Sequence, residues 1–243
     1  MSVLRARKSE PQTIKLIRAN LVYPPVSAKM VTDQGPEPIG VVQTYSLGHG
    51  RAKEIAGKIQ ELEKQGAKRF ILDLRHCSTG DIDEGIAVAN LFMDKGLITY
   101  SQGQKSARQD HVAVASKAIT KLPLVVLVNR GTAGAAEIAA GALLDSKRAT
   151  LVGEPTYGDA AIHKAITMDD GSAVILSVAK YYTPSGKAIQ DVHVTPGVLQ
   201  AETTAIVAND DDPAAGAIPA EPAKPGDDEI LKHGYESLKT IVP

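Results

Sequence analysis

Two runs of apolar residues anchor the hydrophobic pattern of this chain. Leu124-Val125-Val126-Leu127-Val128 has no polar position, and Arg69-Phe70-Ile71-Leu72-Asp73-Leu74 is interrupted by one internal charge. A short apolar run without alternation predicts a strand covered on both faces, as in a parallel sheet. Between and after them the period changes from continuous to helical. Ile55, Ile59 and Leu62 recur at three-to-four spacing and predict a helix over residues 52–65, ended by Gly66. Ile86, Val88, Ala89 and Leu91 predict a second helix from residue 82 or 83 to 93, and an Ala-rich stretch predicts a third over 135–144. Residues 39–45, 97–100 and 149–152 read as further strands. Alternating runs at 161–168 and 172–182, joined by Asp169-Asp170-Gly171, predict a hairpin. A smaller hairpin is predicted at 3–7 and 12–18, around the turn-prone Lys8-Ser9-Glu10-Pro11. Pro24-Pro25 then breaks regular structure. Residues 102–110 are polar. Residues 208–228 are rich in Ala, Pro, Asp and Gly and predict a flexible segment, with a short helix at 229–238.

The most informative local arrangement is strand 124–128, the turn Asn129-Arg130-Gly131-Thr132-Ala133-Gly134, and the helix from Ala135. Strand, tight turn and helix in this order is where α/β proteins present functional groups, beside the positive end of the helix.

Composition narrows the classes. The chain has 243 residues, 43% hydrophobic and 23% charged, with a net charge of −1. No basic cluster favours nucleic acid, which is bound by neutralising phosphates, and the lack of Trp argues against a base-stacking platform. No apolar run approaches the roughly 20 residues of a membrane helix, and the first residues have no apolar core of signal-peptide length. The single cysteine, Cys77, excludes an internal disulfide framework.

Several segments together resemble the C-terminal processing peptidases, a family of tail-specific serine proteases. Phe70-Ile71-Leu72-Asp73-Leu74-Arg75 and the loop after it resemble the approach to the family's oxyanion loop. Asp83–Phe92 is similar to the following helix. Val126–Ala133 with Ala136-Glu137-Ile138-Ala139 resembles the turn presenting the nucleophile. Arg148–Gly158 is similar to the segment leading to the catalytic lysine. Ala179–Gln190 and Val194-Thr195-Pro196 resemble the closing signature. The likeness covers residues 12–198. It implies an α/β fold: a mixed sheet with flanking helices, built from spiralled strand–helix units of the ClpP/crotonase-like kind. It also implies a core over residues 19–200, a remnant of a preceding PDZ domain at 1–18, and a tail at 201–243. A truncated chain explains the missing remainder of the PDZ domain, and the absent signal, more simply than natural loss. Location outside the cytoplasm, substrates that are protein C-termini or extended peptides, and no cofactor or metal follow from the same resemblance.

The family's chemistry needs a serine activated by a desolvated, neutral lysine, a glutamine that orients the lysine, and backbone N–H donors for the oxyanion. In register, the serine falls on Gly134, the lysine on Asp159 and the glutamine on His163. None of the three can play the family's part, since Gly134 has no side chain and Asp159 cannot become a neutral amine. The oxyanion positions fall on Thr79, Gly80 and Ala135, with Thr79 where the family has a glycine. If Thr79 required positive φ, a β-branched residue would deform the loop. The resemblance therefore implies a peptide-binding or regulatory pseudoprotease. Two alternatives stay open: an endopeptidase using Cys77 (with His76 or His163) or Thr132 as nucleophile, and a structural subunit, as a homo-oligomer or beside an active paralogue. Cys77 as an inert buried thiol and Thr132 as an ordinary turn residue are the plainer readings. Asp159 and His163 share a face if the chain between them is extended. They could hold a water or a metal, yet no third ligand stands near them in the sequence. His49, His111, His193 and His233 have no motif around them.

Overall fold

The computed structural model describes residues 2–4, 10–19, 22–202 and 228–241. The elements in chain order are β1 (Ser2–Val3), β2 (Gln12–Thr13), β3 (Ser27–Val31), β4 (Ile39–Gln43), β5 (Ser46–Leu47), α1 (Arg51–Lys64), β6 (Arg69–Asp73), β7 (Thr79–Gly80), α2 (Ile82–Phe92), β8 (Leu97–Gln102) and β9 (Gln109–Val112). They continue with β10 (Leu124–Val128), α3 (Ala135–Asp145), β11 (Thr150–Gly153), β12 (Ala161–Thr167), β13 (Ala173–Tyr182), α4 (Ile189–Val192), β14 (Val198–Leu199) and α5 (Glu229–Thr240).

The main sheet has the order β14-β11-β10-β6-β4-β3. Its strands run parallel except β3, which pairs antiparallel with β4 at the edge. The mixed sheet and flanking helices expected from the sequence are therefore present. Because side chains alternate across a strand, the unbroken apolar run of β10 serves two cores. Leu124, Val126 and Val128 join Leu72, Ile55, Ile59, Val88, Ile138 and Leu143 under α1, α2 and α3. Val125 and Leu127 face the other way with Ile39, Val41, Ile71 and Val152, against Ile230, Tyr235 and Leu238 of α5. Each fully buried side chain of this kind contributes about 1.5–3 kcal/mol relative to exposure. A second, antiparallel sheet, β12-β13-β8-β9, carries the predicted hairpin outward.

Several elements depart from the sequence pattern, among them the short β5, β7, α4 and β14, which it did not mark. β3 and β9 fall in stretches read as irregular or polar. Ser27-Ala28-Lys29 and Gln109-Asp110 are exposed, and main-chain pairing at a sheet edge needs no apolar alternation. The first hairpin is shorter than expected: only Ser2–Val3 and Gln12–Thr13 pair, while residues 14–18 are not strand. Residues 5–9, and 208–227 of the segment expected to be flexible, lie outside the described residues. Helix α5, expected as a short closing piece of the tail, is the sole cover of one sheet face among the described residues.

An ionic clamp holds α5 in place. Arg75 donates from its backbone N and from Nε to Asp73 Oδ1, both at 3.0 Å, and from Nη2 to Asp73 Oδ2 at 2.8 Å. It also reaches Asp228 through Nη1 at 2.7 Å and Nη2 at 2.8 Å. Asp228 in turn caps α5 by accepting from Leu231 N at 3.0 Å. Burial opposes the charge on both Arg75 and Asp228. The bonds outweigh it: those to Asp73 first and then Asp228 hold the arginine pKa up, and those from Arg75 and Leu231 N hold the Asp228 carboxyl below its ordinary range.

Candidate active-site cleft

The turn after β10 is laced to the loop after β6. Thr132 Oγ1 accepts from Asn129 N at 3.1 Å and donates to Leu74 O at 2.9 Å, while Ala133 N donates to Cys77 O at 3.0 Å. The chain then turns through Gly134, at φ 58° and ψ −115°, into α3. This conformation lies outside every region an L-residue favours. The glycine thus allows a sharp elbow at the start of α3.

One buried side chain organises the surroundings. Glu137 of α3 is fully buried, and four donors converge on its carboxyl group. Gly134 N reaches Oε2 at 3.0 Å and Asp159 N reaches the same atom at 2.8 Å. Gly158 N reaches Oε1 at 2.7 Å, where Thr156 Oγ1 also donates. The loop 156–159 is further held by Tyr157 N to Thr132 O at 2.9 Å and Val194 N to Thr156 Oγ1 at 2.9 Å. Sequence reasoning used Glu137 only to fix register. Its signal was a carboxyl in the first turn of an Ala-rich helix, three residues after the N-cap, where a glutamate can reach back to the N-cap N–H.

Glu137 brings positions 134 and 159 together: a Cβ placed on Gly134 lies 3.5 Å from Asp159 O, with no other atom within 4 Å. The pocket for a side chain at 134 is therefore open. Asp159 is exposed. His163 is exposed on β12 opposite Ser177, beyond an irregularity that leaves Val178 of β13 without a partner on β12. The chain from 159 to 163 is thus not one regular strand. Among the described residues no group of three His, Cys, Asp or Glu is placed to hold a metal.

The residues expected at the oxyanion positions, Thr79, Gly80 and Ala135, are ordered. Thr79–Gly80 forms a short parallel pair with Ser46–Leu47. Positive φ falls on Gly80, at 149°, and not on Thr79, so the β-branched residue sits without strain. A Cβ at Gly80 would lie 2.4 Å from Leu47 O, which is why that position is glycine. Ala135 is the first residue of α3, directly after the elbow.

The two alternative nucleophiles are both inside the protein. The Thr132 hydroxyl is buried and occupied as described. Cys77 is fully buried, and burial, aided by the nearby Asp73 charge, pushes its thiol up to about 12. The His76 ring turns elsewhere, 3.0 Å from Glu202 Oε1 and 3.0 Å from Asn129 Nδ2.

Comparison with known proteins places this geometry. The model of "Peptidase family S41" matches residues 38–199. The carboxyl-terminal-processing protease of Synechocystis is 36% identical over 196 residues, covering 81% of this chain and 46% of the relative. The carboxy-terminal processing protease CtpA of Bacillus subtilis is 37% identical, covering 82% and 44%. This chain thus spans less than half the length of these relatives. Among solved structures, a photosystem II D1 C-terminal processing protease superposes with a TM-score of 0.68 at 33% identity, covering 79% of this chain and 52% of that one. A putative S41 protease from Bacteroides fragilis, at 17% identity and a TM-score of 0.66, shares the fold. The chain belongs to peptidase family S41, on the branch of the carboxyl-terminal-processing proteases.

Proposed function

We propose that this chain is a catalytically silent member of its family that binds extended polypeptide, a peptide-binding or regulatory pseudoprotease. One observation carries the reading: Gly134 occupies an elbow with open space at its Cβ, beside Asp159, where the family's chemistry needs a hydroxyl beside an amine. A glycine cannot attack a carbonyl, and an exposed aspartate cannot serve as the neutral amine base. His163 stands where the orienting glutamine is expected. Thr79, Gly80 and Ala135 remain an ordered donor loop with no nucleophile to serve.

Strand addition draws its affinity from main-chain hydrogen bonds, so peptide binding can outlive the loss of catalytic side chains. Residues 1–18 fit the end of a PDZ domain, with Ser2–Val3 and Gln12–Thr13 as an antiparallel pair. A location outside the cytoplasm and assembly with a second copy or an active paralogue belong to the same reading. Cys77 and Thr132 are poor substitutes, one a buried thiol with a raised pKa and the other a hydroxyl already donated to Leu74.

The test is cleavage of an unfolded protein with a free C-terminus, by this chain and by a Gly134→Ser, Asp159→Lys, His163→Gln variant. The unmodified chain should bind and leave the substrate intact. Turnover by the unmodified chain, abolished by Cys77→Ala or Thr132→Ala, would overturn the reading.

A further inference from the structure

The hairpin of β12 and β13 has a hydrogen-bonding edge that no strand fills among the described residues. β13 pairs with β12 along its length on one side, from Ala173 to Lys180. On the other side it pairs with β8 only at Lys180, Tyr181 and Tyr182. Gly103 then lies against Val178: a Cβ there would meet Val178 O at 2.0 Å. Beyond that crossing, residues 173–177 have no strand beside them on this side among the described residues. The register irregularity that leaves Val178 unpaired explains the divergence, since a bulge bends its strand and ends regular pairing.

This edge is the kind that folded proteins normally blunt. Ala173-Val174-Ile175-Leu176-Ser177 carries no charge, and Val174, Ile175 and Leu176 are 44%, 69% and 45% exposed. An exposed, uncharged, β-prone edge is a template for another strand. A groove of about 660 Å³ opens at the Leu176–Ser177 end of this edge, bordered by Gly103, Lys105, Ile166, Leu176, Val178 and Lys180. Its charges are of one sign: two lysines and no carboxylate line it. Lys180 is paired with Asp191 at 2.6 Å, whereas Lys105 makes no ion pair among the described residues.

We infer that residues 173–177 of β13 form a peptide-docking edge for an extended segment with apolar alternate residues and a carboxylate end, received by Lys105. The main-chain groups of β13 give the register, Ile166 and Leu176 take alternate side chains, and the lysine answers the charge. This edge lies across the hairpin from β12, which carries His163, so the inference stands apart from the reading of the silent centre.

The test uses the full chain with an N-terminally fluorescein-labelled octapeptide of alternating valine and serine, as free acid and as C-terminal amide. In anisotropy titrations the free acid should bind about two- to fivefold more tightly, as expected for one exposed charge pair. Lys105→Glu should abolish that preference. Hydrogen exchange with bound peptide should show new protection at residues 173–177. Protection confined to β12, no protection anywhere, or equal binding of acid and amide would overturn the inference. So would sedimentation of the free chain as a dimer dispersed by Ile175→Lys, since a second copy would then occupy the edge.

Discussion

Replacing Gly134 by alanine isolates the strain of the elbow from every question of chemistry. The added Cβ has room, meeting only Asp159 O at 3.5 Å, so the cost is conformational. An L-residue held at φ 58° and ψ −115° costs about 1–3 kcal/mol. Alanine returns about 0.4–1 kcal/mol by stiffening the unfolded chain. The net expectation is a destabilisation of roughly 0–2.6 kcal/mol, read as a lower midpoint at unchanged m in urea unfolding followed by circular dichroism. Two controls bracket it. Gly50, at φ 85° with nothing within 4 Å, should lose about 1 kcal/mol or less on change to alanine. Gly80→Ala, whose Cβ would stand 2.4 Å from Leu47 O, should lose roughly 3 kcal/mol or more, because backbone must move. A Gly134→Ala protein more stable than the parent would refute the elbow. A loss equal to that of Gly80→Ala would refute the open space beside it.

Other expectations follow from the same structure. Glu137→Ala leaves four donors facing an apolar site and should destabilise by about 3–5 kcal/mol in the same assay. Glu137→Gln should lose less, since one oxygen still accepts. Cys77 should resist iodoacetamide at pH 7.5 until denaturant is added, and rapid labelling of the native protein would contradict its burial. Because its folded pKa is raised, the stability it contributes is complete below its unfolded value near 9 and declines as pH rises toward about 12. Arg75→Met strands the buried Asp73 and should destabilise by about 3–5 kcal/mol, monitored by thermal unfolding. Asp228, with its lowered pKa, contributes above its unfolded value near 4. Exchange protection of α5 should therefore fall first as pH drops below that value.

How much was legible in the sequence depends on where each element draws its stability. β10 and β6 bury both faces, so hydrophobicity alone marks them, and Leu124–Val128 agrees to the residue. α1 is marked by Ile55, Ile59 and Leu62 on one stripe. β3 and β9 draw on main-chain pairing at sheet edges, which leaves little trace in side-chain pattern. The reach of α5 was invisible because its clamp joins Arg75 to Asp228 across 153 positions. At the site, the expectation that Gly134, Asp159 and His163 stand at the family's catalytic positions came from register alone, and the structure brings 134 and 159 side by side. The bond web around Glu137 could not be read that way, since three of its four donors come from residues 156–159, a separate stretch of chain.

The position of α5 also sets an order on folding. The sheet face formed by Ile39, Val41, Ile71, Val125, Leu127 and Val152 waits for Ile230, Tyr235 and Leu238. During synthesis at about 5–20 residues per second, the stretch between Val152 and Ile230 takes on the order of 4–16 seconds to emerge. Through that interval a nearly complete sheet presents an oily flank to its surroundings. Contacts so distant in sequence slow folding and lengthen that exposure. The nascent chain is therefore most in need of a chaperone just before α5 is made.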